Sequence, residues 1–344
     1  MNLHFGLPSR KLKPVCLTIG SFDGVHRGHA RVIQALRRQA GGLGVETAVL
    51  TFDPHPRCVL APDSCPPTLT TVDEKAAIMA EMGVDHLIVL PFTRRTSRQE
   101  PAEFMAALAR KVPLAGMTIG YDFTFGHQRR GNRQFLEAWG AEHAFAVQAV
   151  QALSRGGAIV SSSVIRALLL EGKVAPAARL LGRHYSISSF VEHGAGVGSR
   201  IGYPTANLAI TPNKLVPERG VYAVWVDLEG GVHPGAMNVG YRPTFGGSRL
   251  TVEAFIFDFH RDVYHEEVRV RFVQRIRDEK RFSGPQALVR QIGHDVARAR
   301  RILEHAEAGR HEGAGPGAPG DPRPPVATPA RGARARVGAS PVAG

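Results

Sequence analysis

The 344-residue sequence predicts an α/β domain followed by a β domain: a doubly wound parallel sheet, then an antiparallel barrel closed by one helix, then a disordered tail. Three observations predict this. From about residue 15 to 182, short apolar runs alternate with helical patterns at intervals too short for hairpins, which is how a parallel sheet with crossover helices reads. After Gly182 the segments turn strand-like and are divided by Gly and Pro turns, ending in a single amphipathic stretch. From Gly309 to Gly344 the chain is mainly Pro, Gly, Ala and Arg, too poor in apolar surface to order itself.

Taken in order, VCLTIGSF (15–22) is a short buried strand that runs into a Gly- and Asp-containing turn, and ARVIQALRRQ follows with Val32, Ile33 and Leu36 at helical spacing. ETAVLTF (46–52) is a second strand. EKAAIMAEMG is a helix stopped by Gly83, DHLIVLPF a strand, PAEFMAALARKV a helix, MTIGYDF a strand, NRQFLEAWGAEH a helix and AFAVQAV a strand. SSVIRALLLEG and PAARLLG read as helices that close this domain at 182. Beyond it, YSISSFVEHG, GVYAVWVDLEGG, VHPGAMNVG, LTVEAFIFDF and EEVRVRFVQRI are strands. In the last, Val268, Val270 and Phe272 alternate with Arg269 and Arg271, the period of a strand with one wet face. SGPQALVRQIGHDVARARRIL is a helix with Ser283 and Gln286 spaced for a capping box and an apolar stripe at Leu288, Ile292 and Val296. The expected domains are 1–182, 183–306 and a tail at 307–344.

Composition excludes several classes. No apolar run approaches the roughly 20 residues that span a bilayer, and the start, MNLHFGLPSRKLKP, has no apolar core of a signal peptide. A cytoplasmic protein without a membrane partner is expected. Cys16, Cys58 and Cys65 are odd in number and form no CxxC, which argues against a disulfide framework or a thiolate zinc site. The net charge of +13 raises nucleic acid as a partner, but it is split between the basic tail and dispersed arginines, whereas nucleic-acid binders concentrate charge on one face. Small anionic substrates account for dispersed Arg equally well, and no nucleic-acid partner is expected.

The densest chemical signal in the first domain is GSFDGVHRGH (20–29), placed after a strand and before a helix. A helix start offers free N–H groups and a positive dipole end to phosphate. His26 and His29 lie one turn apart, and Gly28 between them permits close backbone approach. The chain has no GxxxxGK[ST], so this is not a P-loop. A zinc site drawing on Asp53 or His55 matches no strong template, and the histidines also fit simple helix capping.

HxGH after the first strand resembles the nucleotidyltransferase superfamily, in which both histidines hold ATP phosphates. The full set, GSFDGVHRGH, TFDPHP (51–56), GYDFTFG (120–126) and SSSVIR (161–166), resembles the FMN adenylyltransferase module of prokaryotic riboflavin biosynthesis. The resemblance implies a Rossmann-like nucleotidyltransferase sheet with His26, His29 and Arg166 on the phosphates. It places Gly20, Phe22, Asp23, Gly24, Gly28 and Ser162 around the nucleotide, Asp122 and Phe123 on the nucleotide and flavin side, and Phe52, His55 and Pro56 around the flavin. Two alternatives stay open: Ser161–Ser163 also fit a helix cap, and Phe52 also fits a plain core aromatic. The chemistry needs no base, because the FMN phosphate is already largely dianionic at neutral pH (second pKa about 6).

In the second domain, GVGSRIGYPTANLAI (196–210) combines a Gly-rich loop with PTAN. Thr205 and Asn207 offer neutral oxygens of the kind that complete a Mg²⁺ shell filled mainly by phosphates and water, although a bare PTAN also fits a turn. GRHYSISSFVEHG, PTANL, GVYAV, MNVGYRPTF, VEAFIFDF and RIRDEKRF resemble, in order and spacing, the riboflavin kinase family. That resemblance implies a six-stranded barrel, Pro204, Thr205 and Asn207 on Mg·ATP, and Glu253 as base toward the ribityl 5′-hydroxyl. An alcohol, unlike a phosphate, needs a proton acceptor. By pattern alone Glu253 also fits a solvent-facing strand position. Two departures stand out: the loop reads Gly198-Ser199-Arg200 where the family often has Gly-Arg, and Phe255 stands where it often has His. Arg277, Glu279 and Phe282 fit structural support and flavin contact equally. The two resemblances imply ATP as co-substrate, riboflavin, FMN and FAD as substrate, intermediate and product, and Mg²⁺ in both steps. A homo-oligomer and transient contact with apo-flavoproteins stay open as partners.

Overall fold

The computed structural model describes residues 1–155, 157–194, 198, 201–244 and 247–312. The first half runs β1 (Asn2–Phe5), β2 (Val15–Ile19), α1 (Arg27–Leu43), β3 (Glu46–Asp53), α2 (Pro56–Leu60), α3 (Val72–Glu81), β4 (His86–Pro91), α4 (Arg94–Ser97), α5 (Pro101–Ala109), β5 (Leu114–Gly120), α6 (Arg133–Glu142) and β6 (Ala146–Val150). A small hairpin, β7 (Ser154–Arg155) with β8 (Ala158–Ile159), leads to α7 (Ser162–Leu170) and α8 (Val174–Leu181). Six strands form one sheet in the order β1-β4-β3-β2-β5-β6, every neighbouring pair parallel. All five residues of β2 are buried, as a central strand covered on both faces requires. From β2 the chain winds outward through β3 and β4, then returns to place β5 on the other side. The gap between the C-terminal ends of β2 and β5 is therefore the topological switch point, where open α/β sheets bind ligands.

The second half contains β9 (Tyr185–Glu192), β10 (Ala206–Leu208), β11 (Gly220–Leu228), β12 (Gly231–Thr244), β13 (Gly247–Ile256), β14 (Glu267–Arg277) and α9 (Pro285–Glu312). The strands close into an antiparallel barrel in the order β10-β13-β12-β11-β14-β9. Its interior, including Tyr222, Val224, Met237, Val239, Val270 and Phe272, is continuous with buried residues of α7 and α8 such as Ile165, Leu169 and Leu181. The second half of α9 packs Ala299 and Leu303 onto the outer wall beside Val221, Ala223 and Ile276.

The two halves share a buried junction. The segment after α2 pairs with the barrel side: Thr68 N–H donates to Asn213 O (2.7 Å) and Leu215 N–H to Thr68 O (2.9 Å). Lys214 reaches across to Glu74 on α3 (2.5 Å) and to Leu69 O (2.8 Å), while Glu74 also accepts Ser188 N–H of β9 (2.8 Å) and closes a capping box with Thr71. Both side chains are almost fully buried, at 1% and 4% exposure. Removing one partner strands the other charge in a dry site, so Lys214→Ala is expected to cost about 3–5 kcal/mol in urea unfolding. The double variant Lys214→Met/Glu74→Gln should recover much of that loss.

The structure corrects several sequence expectations. Cys58 and Cys65 form a disulfide, with α-carbons 4.2 Å apart, because the short α2 turn folds the chain back on itself; only Cys16 is a free thiol. The barrel face expected to be wet is not: Arg271 is 5% exposed, and Arg269 and Arg271 both clasp the buried Asp227 of β11 at 2.7 Å. Pairing two guanidiniums with one carboxylate is what permits the burial. Of the alternatives open for PTAN, the turn is not what forms, since Ala206–Leu208 is the second of the six barrel strands in chain order. The terminal helix runs to Glu312, so residues 307–312 do not belong to a tail; the remaining tail residues, 313–344, lie outside the described residues. Strand β1 escaped the sequence pattern because its four residues alternate too briefly to signal an edge strand.

Candidate active sites

The first candidate site lies at the C-terminal end of β2. His26 caps α1, its ring Nδ1 accepting the His29 N–H at 3.3 Å, which puts the proton of the neutral ring on Nε2. The two imidazoles stack with centroids 3.7 Å apart and planes within 16°. A Cβ on Gly28 would approach the His26 ring to 3.0 Å, so glycine there is what lets the ring fold over the helix start. Burial, then the nearby Arg183, lowers the His26 pKa to about 4. Burial and the neighbouring His26, Lys75 and Arg183 hold His29 well below its usual value. At neutral pH both rings are therefore uncharged. His29 Nδ1 is buried and has no protein hydrogen-bond partner, a donor or acceptor turned toward something the chain itself does not supply.

The depressed His26 pKa makes acid a destabiliser. Between pH 6.5 and about 4 the unfolded chain binds a proton that the folded chain refuses, so stability is complete above the unfolded value and lost as pH falls. The unfolding free energy from urea titrations should drop through this window by roughly 3–4 kcal/mol, at about 1.4 kcal/mol per pH unit. His26→Gln should flatten that part of the profile.

Asp23 is 3% exposed and works as an internal anchor: Oδ1 accepts Leu69 N–H (2.9 Å) and Thr70 N–H (3.1 Å), and Oδ2 pairs with Arg166 (2.5 Å). Arg166 also donates to Pro67 O at 2.8 Å. Ser161 caps α7, and Ser162 donates to Asp23 O at 2.8 Å. Phe22 is buried edge-on to His29 (5.1 Å), and a Cβ on Gly24 would meet Leu69 at 2.7 Å. Gly20 stands at the exit of β2 against the Phe22 ring. His55 caps α2 through Arg57 N–H (3.2 Å), with Pro56 in the first helical turn. Asp23 and Arg166 are close enough to His55 to influence its pKa, which burial lowers. Phe52 is half-buried against Phe92 (5.4 Å). Across the switch point, Phe123 stacks on Phe125 (5.5 Å), whereas Asp122 is exposed and not drawn into the histidine cluster. No group of three or more His, Cys, Asp and Glu among the described residues is arranged to hold a metal, so the zinc reading drops out.

Sequence reasoning missed Lys75. It is 5% exposed, donates to Ser21 O (2.7 Å) and Thr51 Oγ1 (2.9 Å), and burial lowers its pKa to about 8 beside Asp23 and Asp53. The signal was present: Lys75 is one turn before the buried Met79, on the buried face of α3.

The second candidate site lies outside the barrel wall. The first half of α9 stands off from the strands and leaves a cavity of about 310 Å³. Leu288, Ile292 and Val296, the apolar stripe, line it facing Thr205, Asn238, Glu253 and Phe255, and Val296 also packs on the outer-wall cluster. Glu253 on β13 is the direct register partner of Asn207 on β10 and of Asn238 on β12, so three polar side chains stand abreast on one face. Thr205 Oγ1 lies 3.4 Å from Glu253 Oε2. Pro204 is exposed and not part of the lining. Arg277 binds Asp295 of α9 through both carboxylate oxygens, at 2.6 to 3.0 Å, and so holds the helix over the cavity. Phe282 lies against that guanidinium (5.8 Å), and Glu279 also lines the cavity. Asn238 was not singled out by the sequence, because its importance comes from register. Ser199 and Arg200 lie outside the described residues.

Comparisons with known proteins match both halves of the chain. A family model described as FAD synthetase matches residues 9–164, and one described as riboflavin kinase matches 181–303. A bifunctional riboflavin kinase/FMN adenylyltransferase of Pseudomonas fluorescens is 38% identical over 287 residues, covering 83% of this chain and 92% of its own. Those of Listeria monocytogenes (36%; 85% and 93%) and Escherichia coli K12 (36%; 83% and 92%) are similarly close. A solved structure from Streptococcus pneumoniae, described as a macrolide-efflux protein, superposes with a TM-score of 0.79 at 28% identity over 87% of this chain and 99% of that one. No helix among the described residues of the present chain is long and apolar enough to cross a membrane. With two family models and relatives of this length and identity in agreement, the chain belongs to the bifunctional riboflavin kinase/FMN adenylyltransferases, which make FMN from riboflavin and FAD from FMN.

Proposed function

We propose that the two reactions run at two separate sites: FMN adenylylation at the His26–His29 cradle in residues 1–182, and riboflavin phosphorylation at the Thr205–Glu253 cavity in residues 183–306. The observation that carries this reading is that the residues of the cavity all lie between 198 and 296, and none belongs to the cradle. At the cradle, the FMN phosphate attacks the α-phosphorus of ATP and pyrophosphate departs. His26 and His29, neutral and pre-oriented, donate to the phosphate oxygens on which charge builds. The start of α1 adds its free N–H groups and dipole. Arg166 contributes a guanidinium on the phosphate side while Asp23 fixes its position. Gly20, Gly24 and Gly28 let the backbone approach the nucleotide, Phe22, Asp23 and Ser162 support it, and Phe52, His55, Pro56, Asp122 and Phe123 shape the flavin side.

At the cavity, Glu253 accepts the proton of the ribityl 5′-hydroxyl as its oxygen attacks the γ-phosphorus of ATP, the bond from that phosphorus to the bridging oxygen breaks and ADP departs. The apolar stripe of α9 and Phe255 exclude water from one side. Thr205 and Asn207 fit a Mg²⁺ ion, since their oxygens are hard, neutral donors beside the Glu253 carboxylate and leave most of the shell to phosphates and water. Thr205 and Asn207 would hold the ion beside ATP, where it would supply neutralisation of phosphate charge; Pro204 precedes Thr205 and the strand that carries Asn207. We further place the enzyme in the cytoplasm, with small molecules as its partners, no nucleic acid, and a homo-oligomer or passing contacts with apo-flavoproteins as the macromolecular associations open to it.

The direct test is incubation with riboflavin, ATP and Mg²⁺, with chromatographic separation of FMN and FAD. The reading requires FMN to appear first and FAD to follow. Formation of FAD with no FMN intermediate even at early times, or failure of FMN to accumulate when adenylylation is blocked, would count against two successive sites.

A further inference from the structure

The loop between β2 and α1 does not hold its shape unaided. Phe22 (φ 46°), Gly24 (φ 79°) and Val25 (φ 36°) all sit in the left-handed region, which is costly for a β-branched residue such as Val25. Besides the contacts from Lys75, Ser162 and Arg166 described above, it is held from two sides. On one side Asp23 accepts the Leu69 and Thr70 N–H groups, and Gly24 N–H donates to Thr70 Oγ1 at 3.0 Å. On the other, Arg183 donates through Nη1 to Val25 O (3.0 Å) and through Nη2 to Gly24 O (2.8 Å). Arg183 lies just beyond the left-handed Gly182 cap of α8 and two residues before the first barrel strand, so it arrives from the kinase half of the chain. Its planar fork bridges consecutive carbonyls, a geometry that a lysine ammonium does not reproduce.

We infer that Arg183 is a positioning residue for FMN adenylylation: by clamping the Gly24 and Val25 carbonyls it holds the loop that aims His26 and His29 at the phosphates, so the barrel side completes the adenylylation site. The inference rests on the assignment of adenylylation to the His26–His29 cradle. Arg183 touches no reacting atom in this scheme and acts through the loop. It also places a fixed cation beside the imidazole pair, whose other charged or titratable neighbours are Asp23 and Lys75.

The test uses the full-length enzyme with Arg183→Ala and Arg183→Lys, each assayed for adenylylation of supplied FMN and for phosphorylation of riboflavin. Arg183→Ala is expected to lower kcat/KM for adenylylation about 10- to 100-fold, the scale of a small misplacement of catalytic groups. Riboflavin phosphorylation should stay within about twofold. Arg183→Lys should regain only part of the loss. In the alanine variant the titration midpoint of the His26 ring, followed by NMR, should move up from about 4, a change that a purely structural role elsewhere would not produce. Adenylylation by Arg183→Ala within twofold of the parent overturns the inference. So does a parallel fall of both activities in both variants, which would make Arg183 a brace for the whole junction. His29→Ala separates the two levels: if it still makes FAD, the site assignment fails, whereas if it stops FAD and Arg183→Ala does not, only the role of Arg183 fails.

Discussion

His29→Ala is expected to stop FAD formation while FMN continues to accumulate from riboflavin. The ring Nδ1 of His29 is buried without a protein partner, and the ring stacks on His26 at the start of α1, where charge on a departing pyrophosphate would develop. Deleting one such preorganised group costs on the order of 10²–10³-fold in rate. The kinase reaction of the same molecule is the internal control, since its cavity begins at Gly198 and shares no residue with the cradle. FAD formation at the parent rate would remove His29 from the chemistry. Loss of both activities with the fold intact, judged by an unchanged melting curve, would break the two-site scheme.

Glu253→Ala should give the mirror image: no FMN from riboflavin, yet normal FAD from supplied FMN. The asymmetry comes from the nucleophiles. A ribityl hydroxyl must lose a proton as it attacks, and one positioned carboxylate contributes about 10²–10⁴-fold to such a step. Glu253→Gln keeps the shape and the neighbouring Asn207 and Asn238 but cannot take the proton, so it should be nearly as impaired as the alanine variant. A glutamine variant that turned over normally would show that Glu253 only buttresses Thr205.

Much of this was legible in the sequence because it is local. GSFDGVHRGH names its own context: a buried strand before it, a helix after it, and two histidines one turn apart. The alternation of β2 to β6 with their helices followed from apolar periodicity, and the Gly83 and Gly182 stops followed from the left-handed conformations they adopt (φ 72° and 86°). The misreadings share one cause, that the deciding partner is distant in sequence. Arg269 and Arg271 read as wet until Asp227, more than 40 residues upstream, takes them both. PTAN leaves open whether it is a turn, and the pairing of Asn207 with β9 and β13 places its end in a strand. Lys75 and Arg183 carry no local signal of a role, since their partners Ser21, Gly24 and Val25 come together with them only when the loop after β2 folds.

By itself, then, the sequence determined the order and kind of most elements and the two-part architecture, because propensity, periodicity and capping act over a few residues. Only the tertiary structure decided which charges are buried and paired, that the Thr205–Glu253 cavity lies outside the barrel beneath α9, and that Arg183, at the threshold of one half, bonds the loop carbonyls beside the cradle of the other. Those features depend on strand register and on the docking of the two halves, and the free energy of burying a charge or closing a cavity is set by groups that the chain brings together only when it folds.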